Sequence, residues 1–294
     1  MIVVRGKAAP PLRLVVYGPS GVGKSSFACG VSHPATEPAE GVLALDYEGG
    51  LDAIGPARVA GPRSWDESLT LLREACAGPG DHTSVVVDTI DALANLAAAK
   101  ICEKGVKGKS VTSLAEFGYG DGFEILATHW RELLFTLESA RPAGRSVVLV
   151  AHVKRENVDD PQVGRYAKWV AALPKLCWGD THRWADDVLF ANYETAVAER
   201  RAMHTGQRWL YTVAGTGYDA KNRGQLPAQL PLSWDAYARS RGITSRTPEE
   251  IVGSIMTLTT EVNHEKVIRL LNDFNKDVRK LLRLETQLKE KAKA

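Results

Sequence analysis

The run Gly18-Pro19-Ser20-Gly21-Val22-Gly23-Lys24-Ser25 constrains this chain more than any other stretch. It has the spacing Gly-x-x-x-x-Gly-Lys-Ser and lies between an apolar run and a helix start. Leu12 to Tyr17 (LRLVVY) reads as a strand buried on both faces of a parallel sheet, because the run is nearly continuous rather than alternating. Lys24 to Val31 reads as the helix that follows. Glycines let the backbone take dihedrals that side chains forbid and approach a ligand closely. Successive N–H groups then point inward and the helix adds its positive end, so the turn can cradle a row of phosphates. In such a turn Lys24 reaches the β- and γ-phosphates and the Ser25 hydroxyl ligates Mg²⁺. The candidate nucleotide-binding residues are therefore Gly18, Pro19, Ser20, Gly21, Val22, Gly23, Lys24, Ser25 and Ser26, with ATP and Mg²⁺ as the candidate ligands.

The rest of the chain repeats the strand-then-helix order. Val42–Asp46, Ser84–Asp88 and Ser146–Ala151 are further apolar runs that read as buried strands. Trp65–Ala77, Ala92–Glu103 and Phe123–Ala140 read as helices, the first ended by Gly78-Pro79-Gly80. Alternation of this kind implies βαβ units and a mainly parallel central sheet flanked by helices, an α/β fold. Val188–Ala191, Ala196–Arg201 and Trp209–Val213 read as further strands, antiparallel at one edge. Residues 104–122 and 153–178 show no clear period, 214–250 are loop-rich, and the chain is helical from about Pro248. The expected organisation is a phosphate-loop core over residues 1–245 and a helical, basic segment over 246–294.

Composition narrows the class. With 294 residues, 44% of them hydrophobic, the chain can bury a large core. No apolar stretch approaches the roughly 20 residues of a membrane helix, and Met1 to Arg13 lacks the apolar centre of a signal peptide. The four cysteines are scattered without a Cys-x-x-Cys pair, which points to reduced thiols in a cytoplasmic setting rather than to zinc or disulfides. The net charge of +2 is too small to argue for a nucleic-acid partner by itself.

A phosphate loop needs a carboxylate to hold the metal's water shell. Asp88 closes the strand SVVVD and occupies that place, although an Asp there can also cap the next helix. Asp46-Tyr47-Glu48-Gly49-Gly50 follows the second strand and lies on the same carboxyl-end edge of the sheet, where ligands bind in open α/β folds. A carboxylate there can orient or deprotonate an attacking water.

At this point a resemblance becomes specific. Leu43 to Asp52 (LALDYEGGLD) resembles the segment of RecA-type recombinases that ends in their catalytic glutamate, which implies that role for Glu48, with Asp46 as the alternative. RecA-like ATPases place a polar sensor of the γ-phosphate after the fourth strand. His152 holds that slot here, where RecA itself has glutamine. Lys221-Asn222-Arg223 resembles the Lys-Asn-Arg motif of RadA-type proteins and the Lys-x-Arg pair of replicative hexameric helicases. The resemblance implies that Lys221 and Arg223 reach a neighbour's γ-phosphate across a subunit interface, as an arginine finger does. Over about residues 10–240 the chain is similar to the RecA-like core ATPases of bacteriophages, the Sak-type single-strand annealing group of the P-loop NTPase superfamily.

That resemblance implies single-stranded DNA held by two mobile loops. The stretch after the second-carboxylate helix carries Lys104, Lys107 and Lys109 with Phe117 and Tyr119. The stretch after the sensor carries Lys154, Arg155, Arg165 and Lys168 with Tyr166 and Trp169. Cations neutralise phosphates and aromatics stack on bases. In the tail, Val267, Leu271, Phe274, Val278, Leu281 and Leu288 form a helical stripe broken by Glu285, and residues 265–294 carry net +4 from nine Lys/Arg and five Asp/Glu. The stripe can fold back on the core, pair with another subunit, or let the basic end touch DNA or a protein. The implied function is an ATPase that binds single-stranded DNA as a ring or filament of identical subunits and promotes recombination or annealing, with a single-strand-binding protein as a candidate partner. An ATP-gated loader with little hydrolysis and a small-molecule kinase are the rival readings.

Overall fold

The apolar run before the phosphate loop becomes β1 (Arg13–Tyr17), and its burial explains the whole layering. The computed structural model describes residues 11–30, 41–162, 164–198, 201–243, 248–259 and 263–274, with 280, 281, 284, 285, 287 and 288. Leu14, Val15, Val16 and Tyr17 are fully buried. Val15 and Tyr17 face one apolar cluster, while Leu14 and Val16 face another. That is the period of two of a strand covered on both sides.

Around β1 stand β2 (Val42–Asp46), β3 (Ala57–Ala60), β4 (Ser84–Asp88), β5 (Ser146–Ala151) and β8 (Asp187–Ala198), all parallel, in the order β8-β1-β5-β4-β2-β3. Between β5 and β8 in the chain lie β6 (Val153–Asp160) and β7 (Gly164–Ala171), which form a separate antiparallel hairpin. β9 (Arg201–Tyr211) and β10 (Gln229–Pro231) add antiparallel strands beyond β8. The mainly parallel α/β sheet expected from the sequence is present.

One face is covered by α2 (Trp65–Ala77), α3 (Ile90–Lys104), α4 (Asp121–Glu138) and α5 (Lys175–Trp184), which contribute Trp65, Leu93, Trp130 and Trp178 to a single cluster. α2 and α3 start where side-chain caps begin them: Ser64 accepts from the Glu67 amide, and Thr89 from the Ala92 amide. The other face carries α1 (Lys24–Ala28) and the start of α6 (Trp234–Arg241), where Phe27 packs against Trp234 and Tyr237.

The chain divides into two compact units, one ending at Tyr237 and the next starting at Ala238. In the second, α7 (Pro248–Leu258) and α8 (His264–Asp273) bury Ile251, Ile255 and Val267 together with Leu281, Leu284 and Leu288. The tail stripe is thus used inside this unit. Glu285, which interrupts it, is buried and accepts a hydrogen bond from the Ser254 hydroxyl. Val278, and residues 1–10 of the amino-terminal stretch, lie outside the described residues. No helix among the described residues is long and apolar enough to cross a membrane.

Three segments differ from the sequence expectation. Val153–Asp160 and Gly164–Ala171 pair as a regular hairpin rather than lying in an aperiodic loop. Both of its faces carry charge, so its alternation leaves no hydrophobic period. Residues 175–184 form α5, whose buried side includes the polar Asp180 and Thr181 and so lacks an apolar stripe. Val188–Ala191 and Ala196 belong to one strand, β8, and its first part is parallel to β1 rather than antiparallel at an edge.

Candidate functional site

Four adjacent strands, β1, β5, β4 and β2, end side by side, and each delivers one functional group to the same edge. The phosphate loop follows β1, His152 follows β5, Asp88 ends β4 and Asp46 ends β2, with Asp46 and Asp88 paired in register. Ser20, Gly21, Gly23, Lys24, Ser25, Ser26, Glu48, Asp88, Thr89 and His152 line one open cavity of about 330 Å³.

The loop glycines have distinct reasons to be glycine. A Cβ on Gly18 would come within 2.1 Å of the Ala191 carbonyl oxygen, so only glycine lets β8 pass this close at that point. Gly23 enters α1 at φ 107°, a left-handed conformation that other residues rarely adopt. Lys24 is buried and its ammonium donates to the Pro19 carbonyl at 2.9 Å, closing the loop on itself. Burial pulls its pKa down against the pull of Asp88, Asp91 and Glu48.

Asp88 is almost fully buried. Burial first, then the charges of Glu48 and Asp46, push its pKa up to about 6, although its hydrogen bond with Ser25 and the charge of Lys24 act the other way. A buried carboxylate held above its ordinary range beside a hydroxyl is a hard-oxygen pair short of positive charge. That donor set fits Mg²⁺.

The two acids after β2 have separate fates. Asp46 accepts backbone hydrogen bonds from Glu48, Gly49 and Gly50 on Oδ1, and from Leu51 on Oδ2. It is committed to shaping the turn that presents Glu48. The Glu48 side chain lines the cavity, and its Oε1 accepts from the Thr89 hydroxyl at 2.8 Å. His152 Nδ1 stands 3.6 Å from the same Oε1. Asp91 accepts from the His152 amide and pairs with its ring, both at 2.9 Å. The sequence reading missed Thr89 and Asp91. An acid in the first turn of a helix reads as a partner for the helix end, and that ordinary explanation absorbed the signal of Asp91.

Residues 10–224 match the family model AAA_24, an AAA domain, over more than half of the 294 residues. The chain belongs to this AAA-domain family. It is a P-loop nucleotide-binding protein of the ATPase class. Comparison with curated proteins found no match.

The AAA domain does not bring Lys221 and Arg223 to its own phosphate loop. Lys221 pairs through its backbone with Val188, and its ammonium donates to the carbonyls of His182, Arg183 and Ala185 at the end of α5. Arg223 binds Asp186, which lies next to the start of β8 and binds Arg13 at the start of β1, at the far end of the sheet. Tyr17 anchors the preceding segment: its hydroxyl donates to the Asp219 carbonyl at 2.5 Å and accepts from the Asp219 amide at 2.8 Å.

The hairpin cations divide by face. Lys154 donates to the Leu173 carbonyl and Lys168 pairs with Asp219 at 2.5 Å, so both are engaged internally. Arg155 and Arg165 lie exposed on the other face with Trp169, over which the Arg155 guanidinium sits at 4.7 Å. In the first stretch Lys104, Lys107 and Lys109 are exposed. Phe117 packs into the core, and Tyr119 stands fully exposed at φ 47° between the left-handed Gly118 and Gly120.

Proposed function

We propose that this AAA domain hydrolyses ATP in the presence of Mg²⁺, and that it acts as an oligomer on single-stranded DNA in recombination or annealing. The observation that carries the hydrolytic reading is the meeting of Lys24, Ser25, Asp88, Glu48 and His152 in one cavity.

The chemistry follows from the contacts. On nucleotide binding the Lys24 ammonium exchanges the Pro19 carbonyl for the β- and γ-phosphates. Ser25 and Asp88 would hold Mg²⁺, which would supply positive charge to the phosphate oxygens. Glu48 accepts a hydrogen bond from the attacking water, and Thr89 keeps its carboxylate aimed. His152 lines the same cavity and takes the role of γ-phosphate sensor. Lys221 and Arg223, remote from their own phosphate loop, are the pair offered to a neighbouring subunit, and each would first leave its present partners at the end of α5 and at Asp186.

Support for the DNA partner comes from the hairpin face of Arg155, Arg165 and Trp169 and from the exposed ring of Tyr119. Cations beside aromatic faces suit a flexible strand bound with little sequence preference. The test measures phosphate release with and without oligothymidylate, and anisotropy of the labelled oligonucleotide at low salt. DNA-stimulated turnover and binding that weakens with salt are expected. If neither binding nor stimulation appears, the DNA reading is dropped. If no phosphate is released, hydrolysis is dropped as well.

A further inference from the structure

The geometry points to Asp91 as a positioning residue that sets the tautomer and orientation of His152, so that the ring presents Nε2 to the nucleotide. This inference rests on the reading of the cavity as an ATP site.

A single carboxylate holds His152 twice. Asp91 Oδ1 accepts from the His152 backbone amide and Oδ2 meets ring Nδ1, both at 2.9 Å. The first bond fixes where β5 ends against the start of α3. The second fixes the ring about its torsions. A carboxylate has no proton to donate at neutral pH, so Nδ1 must carry the hydrogen. Nε2 then has the free lone pair, or carries the second proton when the ring is charged. The ring's contacts with Asp91 and Glu48 both fall on Nδ1, and among the described residues Nε2 has no partner. His152 lines the cavity with the phosphate loop.

Glu48, Asp91 and His152 also place one donor atom each within 4.8 Å of one another. Both Asp91 oxygens are already engaged by His152, so the trio is an imidazole held by Asp91 beside Glu48 rather than a cation cage. The arrangement joins three parts of the chain. Asp91 opens α3, which leads to the stretch bearing Tyr119. His152 immediately precedes the β6–β7 hairpin. Glu48 follows β2. A ring fixed by Asp91 keeps Nδ1 from turning toward the phosphates and leaves Glu48 to the water.

Asp91→Asn is the informative change. Its side-chain oxygen can still accept from the His152 amide, but its NH₂ then faces Nδ1 and favours the tautomer protonated at Nε2. The first measurement is the ¹⁵N chemical shifts of the His152 ring, which require no catalysis. The wild-type protein is expected to show Nδ1–H, and Asp91→Asn the Nε2–H form. The second is steady-state hydrolysis: kcat is expected to fall roughly 10- to 100-fold while KM for ATP moves less than about twofold. Asp91→Asn combined with His152→Ala should be no slower than His152→Ala alone, because Asp91 acts through the ring. An Nε2–H ring in the wild-type protein overturns the proposal, even if the variant fails to fold. So does additive loss in the double variant. If the wild-type protein releases no phosphate, the ATPase reading fails, and the ring shifts still decide the role of Asp91.

Discussion

Asp88 and Asp186 sit at opposite ends of the same sheet, and their surroundings are opposite too. Asp88, at the carboxyl end of β4, is buried with no ion pair among the described residues, and burial together with Glu48 and Asp46 lifts its pKa to about 6 against the charge of Lys24. Asp186, beside the start of β8, receives guanidinium hydrogen bonds from Arg13 at 2.8 Å, Arg141 at 2.6 Å and Arg223 at 3.1 Å. Burial would raise its pKa, but the bonds and charges of Arg13 and Arg141 win and hold it below the ordinary value. One end of the sheet is electrostatically satisfied and ties the strand starts together. The other is left wanting positive charge, which is what a site for a cation and a polyphosphate requires.

Breaking the working end should give the largest effect. Glu48→Gln is expected to lower kcat by about 10²–10³-fold while leaving ATP binding intact, as read by phosphate release and nucleotide titration. Unchanged turnover would remove Glu48 from the reaction and favour a nucleotide-gated module. Breaking the satisfied end comes next. Asp186→Ala leaves three guanidiniums without their shared partner and should destabilise the fold by about 2–4 kcal/mol in denaturant titration. Asp88→Asn should do the reverse for the free protein. It removes a buried charge and raises stability by about 1–2 kcal/mol at pH 8, while Mg²⁺-dependent turnover is lost. A destabilised Asp88→Asn protein would mean that the two ends are alike.

The smallest effect is a difference in pH slope. Asp88 has a folded pKa above its ordinary 3.8, so its contribution favours the fold at low pH and is lost as pH rises through about 6. Asp186 has a depressed folded pKa, so its contribution is present above 3.8 and is lost as pH falls below that value. Between pH 4 and 6 the stability of the free protein should rise more steeply with pH in Asp88→Asn than in the wild type.

The phosphate end was readable because its strands are unbroken apolar runs and its turn has a fixed spacing. Leu14–Tyr17 and Ser84–Asp88 are buried on both faces, so nothing competes with that pattern. The hairpin was not readable, because Lys154 and Glu156 face one way and Arg155 and Asn157 the other, and both rows are polar. Asp91 looked like an ordinary helix-start acid. The choice between Asp46 and Glu48 needed the turn itself, where four amides converge on Asp46. Lys221 and Arg223 were visible as a motif, but their partners at α5 and Asp186 depend on chain crossings that no local pattern encodes.

The position of β1 also has a consequence in time. Arg13 pairs with Val147 of β5, and Leu14 with Asp187 of β8. A ribosome adding ~10 residues per second makes Leu12–Tyr17 wait roughly ten seconds for its first neighbour and several more for its second. The phosphate loop is made well before the strands that shape it. Until β8 emerges, an apolar strand with both edges open depends on whatever shelters the nascent chain.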